Sequence, residues 1–184
     1  MKKVRADQDY ADLVEAYELN QNNLKKLYSV PDIPGPKFVY DHLLTLHAPY
    51  VYDEEGEFHY YPRTDPKALV IGYTNSIMYT NKRLLPILDN ILAKSHTPPV
   101  ILIFGDHGLA LDDDRIYNLA AYHLPQDGSQ LLYPTITPVN SFRVIFDRYF
   151  GAKLPLLKDI SYFSLDAPFK FTQVDEYLRK DCLN

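Results

Sequence analysis

One cysteine, Cys182, stands in a chain of 184 residues, and it has no second thiol to pair with. That excludes an internal disulfide framework and a Cys-rich zinc site. It leaves the compartment open, because many secreted bacterial domains also lack disulfides. Tryptophan is missing, and the aromatic content falls to 16 Tyr and 9 Phe. A tyrosine packs its ring and still bonds through its hydroxyl, so these residues are expected on half-buried faces. No apolar run approaches the ~18–20 residues that a membrane span needs. Met1-Lys2-Lys3 opens into a polar helix rather than a signal-peptide core, so the chain is expected to be soluble as supplied. Positive charge is in deficit: 19 Lys and Arg against 24 Asp and Glu, a net charge of −5. A general nucleic-acid-binding surface is excluded on that balance, while a local basic pocket is not. Internal repeats and low-complexity tracts are absent as well. At 46% hydrophobic the chain has enough apolar material for one sizeable core in a single domain.

Hydrophobic spacing sets out the elements. Tyr10, Leu13, Val14, Tyr17, Leu24, Leu27 and Tyr28 recur at helical spacing, which predicts a helix over about Ala6–Tyr28. Pro31, Pro34, Gly35 and Pro36 end it. Lys37–Leu44 reads as a strand, and Asp53–Glu57 as a solvated acidic turn rather than a metal site. Thr64-Asp65-Pro66 opens a long helix to about Ala93, with a bend expected near Pro86. Val100–Phe104 is a short apolar run with the length of a buried strand. Asn118–His123 predicts another strand after the polar Asp112–Asp114 turn. A helix from Pro138 closes at Gly151, and the tail adds a strand at Phe169–Phe171 and a helix over Val174–Arg179. The order α-β-α-β-β-α is that of an α/β sandwich. A strand, a long helix and a second strand form the ordinary crossover unit, which places Lys37–Leu44 and Val100–Phe104 in one sheet.

Chemistry concentrates where Val100–Phe104 runs into Gly105-Asp106-His107-Gly108. The carboxyl end of a strand is where open α/β folds bind ligands. A carboxylate beside an imidazole suits a divalent cation such as zinc or manganese, and the flanking glycines leave the backbone free to turn. The plainer alternative is a tight turn carrying a surface Asp and His. His47 follows the other expected strand, so both histidines are placed on the same rim. Its imidazole there could ligate metal, donate a proton or hold an anionic oxygen. A loop histidine bonded to backbone is the alternative.

Three pieces taken in order carry a resemblance: Phe38–Tyr50, Tyr73–Thr80 and Ile101–Gly108. Together they resemble the alkaline phosphatase-like superfamily, and within it the sulfatase-like branch that includes lipoteichoic acid synthases and phosphoethanolamine transferases. The stretch Asn118–Phe163 is similar to members described only as sulfatase-like. The resemblance implies a layered α/β sandwich around a central, mostly parallel sheet, of which this chain matches the C-terminal half. Its parts are then an N-terminal helix at 1–30, a core at 37–163 and a tail at 164–184. Asp106 and His107 match the family's pair for a catalytic divalent metal, whether zinc, manganese, calcium or magnesium. His47 matches the histidine that contacts the substrate's phosphate or sulfate. The family's chemistry is metal-assisted attack of a Ser, Thr or formylglycine nucleophile on phosphorus or sulfur. Longer members work on the extracytoplasmic side of a membrane.

This sequence departs from that pattern in two places. Complete members carry the nucleophile and a further acidic ligand upstream of the strand that matches Lys37–Leu44. Here that region is a polar helix, and Ser29, its one candidate, lies beside the Pro-rich linker. Relatives also carry another histidine shortly after DHG, whereas Leu109–Tyr117 has none and His123 falls inside the next expected strand. Two expectations follow. The chain is the metal-binding, substrate-contacting half of a sulfatase-like phosphate or sulfate ester hydrolase or phosphotransferase, holding metal weakly and inactive alone. Alternatively it is a non-catalytic scaffold or interaction module of that descent, acting through self-association or a partner.

Overall fold

A computed structural model describes residues 2–108, 118–164 and 169–173. The expected Asp112–Asp114 turn and the Val174–Arg179 helix lie outside the described residues. The chain divides into two compact units, Met1–Pro98 and Pro99–Asn184.

In the first unit, α1 (Lys2–Ser29) and α2 (Pro66–Lys94) lie side by side with their C-terminal ends together. The Asp65 side chain caps α2 by accepting from the Lys67 N–H at 2.9 Å, and Pro66 takes the first turn, where its missing N–H costs nothing. Pro86 sits inside α2 without ending it. Near the helix ends, Asn90 Nδ2 donates to the Tyr28 carbonyl at 2.7 Å and Lys94 pairs with Asp32 at 2.9 Å. Leu24, Val51, Tyr52, Tyr79 and Ile87 form the core between the helices and the intervening loop.

Within that loop, Tyr52 and Phe58 bridge around the acidic turn. Asp53 Oδ1 accepts from the N–H groups of Glu55, Gly56 and Glu57 at 3.1, 2.8 and 2.8 Å. One oxygen of that carboxylate is therefore engaged by the turn's own backbone. Gly56 has φ +92°, and a Cβ there would enter the Tyr79 ring, which stacks on Tyr52 at 4.7 Å. Burial pushes the Tyr52 hydroxyl well above the usual phenol range; its proton goes to the Tyr17 carbonyl at 3.3 Å.

Lys37–Leu44, expected as a strand, forms none and has no ladder partner among the described residues. Phe38 is 89% exposed, Tyr40 80% and Val39 45%, while Leu43 near the segment's end packs against the core. Strand propensity alone does not make a strand; a neighbouring backbone must accept its hydrogen bonds. At its end the Leu44 N–H donates to Asn20 Oδ1 at 3.3 Å.

In the second unit, β1 (Ile101–Phe104) pairs antiparallel with β2 (Ala120–His123), Ile101 opposite His123 and Phe104 opposite Ala120. The run that reads as a fully buried strand is only half-buried at all four positions. The structure is thus mixed α/β, its strands in two antiparallel pairs among the described residues; the second pair is β3 (Tyr162–Phe163) with β4 (Thr172–Gln173). The tail strand forms just after the expected Phe169–Phe171.

α3 (Pro138–Phe150) follows the expected bounds and closes at Gly151, φ +64°, whose N–H reaches the Asp147 carbonyl at 3.0 Å. Asn140 and Ser141 are completely buried on its inner side. Asn140 grips Leu157 by both backbone groups, Nδ2 to the carbonyl at 2.8 Å and N–H to Oδ1 at 2.9 Å. Asp159 then reaches the start of α3, accepting from the Thr137 N–H at 2.8 Å, Thr137 Oγ1 at 2.7 Å, Tyr133 at 2.7 Å and Asn140 at 2.9 Å. Partial burial raises this carboxyl's pKa, but the four donors outweigh it and the net direction is down.

Candidate metal centre

β1 ends because Gly105 leaves the ladder. Its N–H makes a last strand-like bond to the Leu119 carbonyl at 2.9 Å, and its carbonyl accepts from Asn118 Nδ2 at 3.0 Å. The chain then turns and presents Asp106 and His107 to solvent. Asp106 Oδ1 accepts from the His107 backbone N–H at 3.0 Å, leaving Oδ2 pointing toward the ring.

The imidazole is oriented by its own neighbour. His107 Nδ1 lies 2.7 Å from the Gly108 carbonyl oxygen. A carbonyl oxygen only accepts, so Nδ1 is the donor there, and whenever the ring is neutral its lone pair is on Nε2. This is the outer support that metal-ligating histidines ordinarily have, a backbone carbonyl fixing the tautomer. Nε2 stands 3.6 Å from Asp106 Oδ2. Two donors bound ~2.1 Å from one tetrahedral ion sit about 3.4 Å apart. The pair therefore offers two free donor atoms at nearly the spacing that one ion needs. Both side chains are exposed, Asp106 more than His107, so water reaches the pair freely. Among the described residues no group of three or more His, Cys, Asp or Glu converges.

His47 belongs to the first unit and is exposed in a tight loop. Its backbone N–H bonds the Leu44 carbonyl at 3.1 Å. On one side the loop is anchored by buried Thr45, whose hydroxyl meets that of Thr80 at 2.9 Å. On the other, Arg63 donates to the Ala48 carbonyl at 2.7 Å, beside the cis Ala48–Pro49 peptide. The structure thus brings Asp106 and His107 together and places His47 in a well-held loop of its own unit.

Two groups of residues escape a reading of hydrophobic pattern. Asn118 contacts the turn that carries Asp106 and His107, and only its position just before a strand marks it. The Asp159, Asn140 and Thr137 cluster joins residues up to 22 apart in sequence, which no local signal reveals.

Comparison with protein-family models, with curated proteins and with solved structures finds no match to this chain.

Proposed function

We propose that this chain carries the metal-binding, substrate-contacting part of a sulfatase-like phosphate or sulfate ester hydrolase or phosphotransferase. The observation that supports this reading is the Nε2–Oδ2 pair of His107 and Asp106, 3.6 Å apart at the carboxyl end of β1 with the His107 tautomer set for ligation. Asp106 and His107 hold the ion. A divalent ion bound there supplies stabilisation of charge on phosphoryl or sulfuryl oxygens. With two protein donors, water completes the shell and affinity is low. A central, mostly parallel sheet is part of the same proposal.

No nucleophile is assigned in this chain, so it is expected not to hydrolyse aryl phosphate or aryl sulfate esters, even with added zinc or manganese. A metal's charge stabilisation does not replace a nucleophile held in line for attack. Calorimetric titration of zinc, then of inorganic phosphate or sulfate into the zinc-loaded chain, tests the binding role. Weak zinc uptake and zinc-dependent anion binding are expected, and Asp106→Ala should abolish both. Robust turnover lost on Asp106→Ala would overturn the missing-nucleophile account.

A second reading, a non-catalytic interaction module, is favoured by one observation. Phe142, Phe146 and Phe150 follow one another along α3 with centroids 6.2 and 6.0 Å apart and are 43%, 44% and 73% exposed. An apolar row of that kind is often an association surface.

A further inference from the structure

We infer that Asn118 is a positioning residue for the Asp106–His107 pair, acting through the Gly105 carbonyl; its bearing on metal rests on the function proposed above. Gly105 is the last residue to pair with β2, through its N–H to Leu119 at 2.9 Å. Beyond that bond the ladder offers nothing to the Gly105–Asp106 peptide. A glycine there is free to rotate, having no Cβ to restrict it. Asn118 Nδ2 donates to the carbonyl of that same peptide at 3.0 Å. Gly105 is thereby held at both ends, its N–H by backbone and its C=O by a side chain, and the plane of the next peptide is fixed.

That plane decides where Asp106 points. Asp106 Oδ1 is already engaged by the His107 N–H at 3.0 Å, and His107 Nδ1 by the Gly108 carbonyl at 2.7 Å. These bonds join adjacent residues, so they turn as one body with the Gly105–Asp106 peptide. Asn118, 13 residues away in sequence, is the contact that ties this body to the sheet. A Cβ on Gly105 would find the Leu119 N–H at 3.4 Å and Asn118 Cβ at 3.8 Å, so the residues facing it stand in ordinary contact. Asparagine suits the task because its amide donates without adding charge beside the cation.

The test compares the full chain with Asn118→Ala and Asn118→Gln, the second keeping the amide donor. Backbone 1H–15N residual dipolar couplings of residues 105–107, read against those of 101–104 and 120–123, report how firmly the turn is held on the sheet. Couplings that fit the sheet's own alignment are expected in the parent and in Asn118→Gln, with those of Asn118→Ala averaged toward zero. Zinc calorimetry on the same proteins should show about 10-fold weaker binding for Asn118→Ala. Far-UV circular dichroism separates either effect from unfolding. Averaged couplings in Asn118→Ala with no zinc binding in any of the three would support the positioning role and overturn the metal reading. Unchanged couplings in folded Asn118→Ala would overturn the positioning role, whatever zinc does.

Discussion

Leu24 is wholly enclosed between α1 and its neighbours, and Gly56 lies under the Tyr79 ring with a positive φ; each tests the first unit at one atom's scale. Leu24→Ala should cost about 3 kcal/mol, since truncating an enclosed leucine forfeits transfer energy and leaves a cavity. Gly56→Ala adds a methyl where the ring already stands and strains the backbone too; chemical denaturation should show a clear loss of stability, and a neutral result would mean that the turn is not packed as described. In the second unit, Asp159 gives a pH test with a definite sign. Its folded pKa is lowered, so its contribution is fully present above the ordinary carboxylate range. That contribution is lost as pH falls through the lower folded value. Urea midpoints followed into acid should therefore drop in the parent and stay flatter in Asp159→Asn, which begins less stable. At this scale the placement of Asp106 and His107 just past a strand is legible, because an apolar run ending in DHG is a compact local signal. The contacts of Asn118 and Asp159 are not, because their partners lie 13 to 26 residues away.

Among the elements, helices were read more faithfully than strands. α2 was expected over Pro66 to about Ala93 and runs Pro66–Lys94; α3 was expected from Pro138 to Gly151 and closes there. Their caps and periodicity are local, and local signals survive in a single sequence. The inner face of α2 was less legible: Gly72, Ser76 and Thr80 are buried there although none is apolar. Small residues let Tyr50 and Tyr61 come close, since a Cβ on Gly72 would meet the Tyr61 ring at 2.7 Å. Lys37–Leu44 failed as a strand for the opposite reason, its propensity being satisfied by no partner. Gly151→Ala is the cleanest element-level test: φ is +64° and nothing lies within 4 Å, so the cost of about 1 kcal/mol is purely backbone. A thermal midpoint equal to the parent's would contradict the left-handed closure of α3.

For the whole molecule, the described residues contain no helix long and apolar enough to cross a membrane. Phe38, Tyr40 and the α3 phenylalanines leave apolar area open to water. The account therefore expects self-association, and light scattering at low micromolar concentration checks it: a clean, well-folded monomer of 21.3 kDa would contradict it. The central claim concerns the ion. Manganese broadens NMR signals of nuclei close to it, so titration of Mn2+ into the isotope-labelled chain shows where the ion sits even when binding is weak. The account predicts selective broadening at the His107 ring and the amides of residues 105–108, abolished by Asp106→Ala. Broadening centred instead on the acidic turn at Asp53–Glu57, and unchanged in Asp106→Ala, would contradict it.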